Sequence, residues 1–444
     1  VYKRQPKGSS KGFKKRAWLT SSESRFLSIT FPKRAESRGI LIMLNVSSRF
    51  LPFLLVVLLI PITAQGDREL DNQVRAILLE GIEASFSGDY DGAAETFARV
   101  GDLDPGHPAQ DFYQASVLFW RNSLDASNPR YDEEIQHHLT RTIEKARVRL
   151  NVEGGRLEAL HYLGLAYTYQ GRLEAQRGRY YTGGTHGEKG RTYLEEIRET
   201  CSLQEPANRH AVCDDVTFPL GAYRYFAGLL PSVLQKFSFL WFLPRGTSEE
   251  GLKGLEEARR TSELHRLGAT ALLARIYALL EKDKGPRALA LYSELADRFP
   301  DNPALNVWYA ELLLNQGKYK EATALAGQVE DKVKRGVRNY DETAALAAQL
   351  VQAEAAMEEG DPDRASAILL PLRAESQRHQ NTLTPKIDLL QGMLEDLRGN
   401  RSGALTFYEE ASRHKGRTRN RQASKAAEGY MKEPYRNRTT RTAP

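Results

Sequence analysis

A spacing of small and aromatic residues recurs along this chain, and it constrains the fold more than any other feature of the sequence. In residues 74–107, Gly81, Ala93, Phe97 and Pro105 fall at positions 8, 20, 24 and 32 of a helix-hairpin period of about 34 residues. Small residues at the first two positions let two helices approach closely, and the aromatic fills the space beside them. The proline ends the second helix because it has no N–H for the next backbone bond. Ser87-Gly88-Asp89-Tyr90-Asp91 supplies the turn between the helices. The same grammar returns four times toward the C-terminus. In 271–302 it is carried by Leu273, Ala274, Tyr277, Ala288, Tyr292, Leu295 and Pro300. In 303–336 Ala310, Leu313, Ala322 and Val329 flank the turn Gly317-Lys318-Tyr319. In 346–379 Ala353, Ala365 and Leu369 flank Gly360-Asp361-Pro362, and in 385–418 Gly392, Ala404, Tyr408 and Ala411 flank Gly399-Asn400.

With apolar residues at helical period between them, these units resemble the tetratricopeptide-repeat family over most of residues 70–415. The resemblance implies an all-α solenoid of stacked helix hairpins, 13–15 helices in this chain. It also implies a concave face lined by the first helix of each hairpin, a protein or peptide partner, no cofactor and no enzymatic activity. More degenerate helices are expected at 108–125 and 131–150, and at 156–175, where Leu163-Gly164-x-x-Tyr167 repeats the small-residue position. The partner of that last helix is expected late, at 188–203, after a surface insertion that includes Gly178 to Gly187.

Phe218 to Leu243 is the most apolar stretch of the middle, with Arg224 and Lys236 its only charges and many aromatics. Pro231 divides it into expected helices over 217–230 and 232–243. Three readings stand open: buried repeat core, an apolar groove for a peptide or lipid ligand, or contact with a bilayer. Thr247 or Ser248 caps an amphipathic helix over 249–263. Residues 220–258, through Leu229-Leu230-Pro231 and Gly251-Leu252-x-x-Leu255-Glu256, are more weakly similar to a eukaryotic tetratricopeptide family that includes an inclusion-body clearance protein.

The chain's net charge of +6 is made by its ends. Residues 1–42 carry +9 and residues 413–444 carry +8, which leaves the body, 43–412, at −11 and excludes a nucleic-acid reading from overall pI. Residues 1–42 read as non-native, Val1 to Gln5 resembling translated adapter sequence, or as a disordered basic leader. Residues 43–66 have the pattern of a signal peptide: Arg49, an apolar run from Phe50 to Ile62, and small residues near Ala64 and Gly66. A retained anchor is the alternative, though the run is short for a membrane span. Export to the periplasm or exterior follows, and with it a disulfide between Cys201 and Cys213, the only cysteines. The expected organisation is then an N-terminal repeat arm (67–203), a central apolar hairpin with its following helix (204–260), a C-terminal array (261–412) and a disordered basic tail (413–444).

No stretch spells a catalytic constellation. Gly183-Gly184-Thr185-His186-Gly187-Glu188-Lys189-Gly190-Arg191-Thr192 has the wrong order for a phosphate loop. The histidines make no zinc spacing, and His137 and His138 point to different sides of a helix. The candidate partner- or ligand-binding residues are the exposed-type aromatics and arginines of the irregular centre: Tyr162, Tyr167, Arg177, Arg179, Tyr180, Tyr181, Tyr223, Tyr225 and Trp241.

Overall fold

A computed structural model describes residues 51–152, 154–205, 210–229, 246–379, 382–413 and 421–437. Among these residues no strand occurs. The chain runs through α1 (Leu51–Phe86), α2 (Tyr90–Leu103), α3 (Pro108–Arg121), α4 (Asp132–Arg149), α5 (Arg156–Gln176) and α6 (Tyr180–Ser202). It continues through α7 (Val212–Asp215), α8 (Thr217–Gly228), α9 (Ser248–Thr261), α10 (Arg266–Leu279), α11 (Gly285–Arg298) and α12 (Pro303–Asn315). It closes with α13 (Tyr319–Lys334), α14 (Glu342–Glu358), α15 (Pro362–His379), α16 (Thr384–Leu397), α17 (Arg401–Arg413) and α18 (Arg421–Lys432). Successive helices pack as neighbours, the pattern of a helical-hairpin solenoid. The helices outnumber the 13–15 expected. The leader and the first part of the signal-like segment (residues 1–50) and the second half of the apolar stretch (230–245, with Trp241) lie outside the described residues.

Helix starts follow from local chemistry. Asp89, Thr247, Asn302 and Asp341 each stand just before a helix and accept a hydrogen bond from one of its first free N–H groups. The Thr247 cap and α9 match the sequence expectation. Cys201 on α6 is joined to Cys213 on α7, as expected, beside a small core of Leu160, Leu194, Ile197, Val212, Val216 and Leu220.

The expected insertion at 178–187 is corrected: α6 begins at Tyr180 and the segment is helical. Gly178 takes a left-handed φ of 74° and closes α5 by the same pair of backbone bonds that Gly88 and Asp89 make after α1. The helix that follows buries its glycines rather than exposing them. A Cβ on Gly171 would lie 2.8 Å from the Gly183 carbonyl oxygen and 3.0 Å from the Gly187 nitrogen, and one on Gly190 would lie 2.8 Å from the Gly164 carbonyl. Backbone therefore touches backbone along α5 and α6, and glycine is the residue that permits it.

The N-terminal arm does not stand apart from the C-terminal array. One core unites Phe86, Phe97, Phe112 and Leu163 with Leu264, Leu295, Phe299 and Leu305. The Phe86 ring lies 4.9 Å from Trp120 and 5.5 Å from Phe299, and Trp120 lies 6.0 Å from Trp308. Asn302, fully buried, caps α12 through its oxygen while its amide donates to the Phe86 carbonyl at 3.0 Å.

The disordered-tail expectation fails over 421–437. Ala423 and Ala427 of α18 pack on Ala404, Tyr408 and Ala411 of α17, and the Tyr435 hydroxyl donates to Glu358 at 2.7 Å. A last hairpin would otherwise leave an apolar face in water, and a helix with alanines four apart covers it. Residues 414–420 and 438–444 lie outside the described residues.

Gly171→Ala should destabilise the protein by about 1–3 kcal/mol through overpacking. Gly327→Ala, whose new methyl would meet nothing nearer than 3.9 Å, should be neutral or stabilising by up to about 1 kcal/mol. Urea melts of the two variants check the pair; equal stabilities would remove the close-approach account.

Candidate functional site

The first helices of successive C-terminal hairpins, α10, α12, α14 and α16, place a strip of charged and aromatic side chains side by side. The Arg275 guanidinium lies 4.6 Å over the Trp308 ring and bonds Glu311 at 3.2 Å. One hairpin on, Lys386 pairs with Glu354 at 3.0 Å. The four charged side chains remain partly exposed, between 26% and 31%. They nevertheless feel one another: burial works against the Lys386 ammonium, but Glu354 and then Glu311 more than offset it, and its pKa stands above the ordinary lysine value. Trp308 marks one end, where Trp120 of the N-terminal arm covers part of the face. Near the other end Thr382 bonds Asp125 of the α3–α4 turn.

The residues nominated from sequence do not form one site. Tyr162 is core, 2% exposed, packed against Phe112 and His107. Arg177 is buried and bidentate to Asp132 at 2.5 Å, with further bonds to the carbonyls of Ala126 and Asn128; it fastens the α3–α4 turn. Arg179 pairs with Glu174. Tyr223 and Tyr225 are buried, their hydroxyls donating to Glu188 at 2.6 Å and Glu281 at 2.9 Å. Tyr167 is buried and accepts from Arg147, with the Lys189 ammonium 4.2 Å over its ring. Tyr180 and Tyr181 are openly exposed, at 61% and 70% on the first turn of α6, beside the half-exposed Arg179. Trp241 lies outside the described residues. The strip of Arg275, Trp308, Glu311, Glu354 and Lys386 was missed. Its signal was positional: each residue lies on the first helix of a recognised repeat, the helix that lines the binding face in that resemblance.

A family model described as tetratricopeptide repeat matches residues 279–335, from the last residue of α10 to the end of α13. The helical hairpins stacked on either side of the matched residues support the same assignment. The chain carries tetratricopeptide repeats. No curated protein matches it.

A further polar cluster, around Asp215, is sealed. Asp215, with no exposed surface, accepts from Ser262 at 2.6 Å, from Arg75 at 2.9 Å and from the Leu264 amide. His265 and His161 face each other at 3.4 Å through their Nε2 atoms, and Phe218 stacks on His265. The Ser262 hydroxyl is turned to the carboxylate rather than to a histidine, and both histidines are under 8% exposed. The cluster fastens α1, α5, α7 and α10 and offers no surface to a substrate. Among the described residues no group of side chains is arranged to hold a metal ion, and no helix is long and apolar enough to cross a membrane.

Burial, reinforced by neighbouring His265, pushes His161 down to a pKa of about 3, and burial also lowers His265. Both are neutral in the folded protein at pH values where an unfolded histidine, near 6.5, takes up a proton. The unfolded state thus binds more protons below about pH 6.5, and stability falls as pH falls through that value, by up to about 1.4 kcal/mol per pH unit for each histidine. Melting temperatures should drop between pH 7.5 and 5, and the slope should shrink in His161→Gln. A slope unchanged by that substitution would place the titration elsewhere.

Proposed function

We propose that this protein is a non-catalytic scaffold that binds an extended protein segment along the strip formed by α10, α12, α14 and α16. The observation that carries the reading is the strip itself: an aromatic ring with cations and carboxylates, aligned on the first helices of consecutive repeats and still reached by water. Tetratricopeptide repeats generally mediate protein–protein interaction, and the fold is typical of non-enzymatic scaffolds. Partly exposed ion pairs contribute at most about 1 kcal/mol each to stability. They are accordingly free to exchange their intramolecular partners for those of a bound chain at small cost. The strip carries a cation at each end and two carboxylates between them, which favours a segment with both charges in complementary order.

Export belongs to the same reading. The signal-like pattern before residue 67 and the Cys201–Cys213 disulfide support an oxidising compartment, periplasmic or extracellular. The alternative of an apolar or lipid ligand draws on residues 230–245, outside the described residues, and no observation favours it.

Affinity capture from the native envelope fraction, with wild type and with Lys386→Glu and Glu311→Lys side by side, tests the proposal. A partner held by wild type should be weakened at least ten-fold, about 1.4 kcal/mol, by either reversal while both variants keep the wild-type melting temperature within a few degrees. Undiminished capture by both folded variants would move the interface off the strip.

A further inference from the structure

After α18 the chain turns back to the strip. A short strap crosses the C-terminal ends of α16 and α14 and is fastened to both. Arg401 pairs with Asp396 at 3.0 Å and donates to the carbonyls of Tyr430 and Met431, each at 2.8 Å. The Tyr435 backbone N–H donates to Asp396 at 2.8 Å and its hydroxyl to Glu358 at 2.7 Å, and the Asn437 side-chain amide reaches the Met357 carbonyl at 3.4 Å. Tyr435 and Asn437 are both buried. Glu358 stands four residues after Glu354 on α14, so the two carboxylates share a helix face, and Glu354 is the one that holds Lys386 in the strip. The Tyr435 hydroxyl feels both: burial first, then Glu358, Tyr430 and Glu354, keep its pKa above the ordinary tyrosine value. The strap therefore delivers the chain to the end of the strip.

The residues that follow have the matching charge and the length to enter it. Arg438-Thr439-Thr440-Arg441-Thr442-Ala443-Pro444, outside the described residues, holds two arginines and no acid. The middle of the strip is acidic, with Glu354 on α14 and Glu311 on the directly packed α12. The C-terminal end of α14, where the strap leaves it, adds partial negative charge. One helical turn, about 5.4 Å, separates Glu358 from Glu354, and packed helices stand about 8–10 Å apart. An extended chain advances about 3.3–3.6 Å per residue. Arg438 thus falls within a side chain's reach of Glu354, and Arg441 within reach of Glu311.

We propose that residues 438–444 dock in the strip of their own chain, Arg438 and Arg441 pairing with Glu354 and Glu311, and so compete with the protein segment that the strip binds. The regulatory role rests on the strip being the recognition face; the docking itself does not. A short tether gives its free end an effective concentration in the millimolar range, so contacts too weak to hold a separate peptide suffice to keep the strip occupied for much of the time. A partner must displace the tail, and the segments able to do so are those that also engage Trp308 and the cations at the two ends, which the tail's arginines do not satisfy.

Two measurements on the full chain test the docking. In the first, the Arg438→Lys/Arg441→Lys variant is treated with a water-soluble carbodiimide, which joins an ammonium to a carboxylate it touches. Peptide mapping of the monomer-mass product should find position 438 or 441 linked to Glu354 or Glu311. In the second, Lys386 is acetylated with an N-hydroxysuccinimide ester in wild type and in Arg438→Gln/Arg441→Gln. A site is open only for the fraction of time it is unoccupied, so removing the tail's charges should speed the labelling of Lys386 at least about three-fold. No tail link to either carboxylate, tail links confined to dimer-mass product or scattered over carboxylates off the strip, or equal labelling of Lys386 in the two proteins would overturn the proposal. Neither measurement uses a partner, so a failure here is distinct from a failure of the strip as the recognition face, which the capture experiment reads.

Discussion

The fold depends on a junction of which Asn302 is the centre. A solenoid is ordinarily held by contacts between neighbours in sequence. Here residues more than two hundred positions apart share one core, and an asparagine with no exposed surface serves both sides. Its oxygen starts α12 and its amide satisfies the last carbonyls of α1. Phe86, Phe299, Trp120 and Trp308 close around it. Truncating such a side chain leaves a helix end and a carbonyl unsatisfied together, so the polar and apolar parts of the junction are mutually dependent. The ion pair between Arg298 and Glu83 lies at the exposed edge and adds little by comparison.

That junction also sets what surface is left for recognition. By covering Trp308 at one end, the N-terminal hairpins shorten the face presented by the first helices of the array and leave the charged part open. Rigidity comes from a different source on the other side of the N-terminal arm, where α5 and α6 meet backbone to backbone along Gly164, Gly171, Gly183, Gly187 and Gly190. The Cys201–Cys213 bond then ties that pair to α7, and the sealed Asp215 cluster ties α7 to α1 and α10. Binding surfaces are thus carried on elements whose own positions are fixed by packing that does not face the ligand.

Much of the fold was legible in the sequence. The hairpins with turns at Gly88, Gly317, Gly360 and Gly399 were placed by small-residue spacing, because that spacing is a direct consequence of how closely two helices approach. The α5–α6 hairpin was misjudged since its helices are 21 and 23 residues long, against 14 for α10 and α11, which pushes the second helix out of the expected register. The turn itself was visible: Gly178-Arg179-Tyr180 repeats the pattern of Gly88-Asp89-Tyr90 and Gly317-Lys318-Tyr319. Glycines spaced three and four apart were taken for loop composition when they marked a helix face. The tail helix was hidden by its charge, since only Ala423 and Ala427 signal a buried side. The site was the least legible part. Tyrosines and arginines look like surface binders in a sequence, but Tyr162, Tyr223, Tyr225 and Arg177 are held inside by partners far along the chain. Nothing local announces those partners.

The contact between the N-terminal hairpins and the array can be measured directly. Glu83 and Arg298 are both about half exposed and face each other across it. In a Glu83→Cys/Arg298→Cys variant, with the native disulfide intact, a short bis-maleimide should join the two new thiols within one chain. The product should keep monomer mass and raise the melting temperature. Full labelling of each single-cysteine variant combined with no intramolecular link in the double variant would contradict the closed arrangement of the N-terminal hairpins on the array.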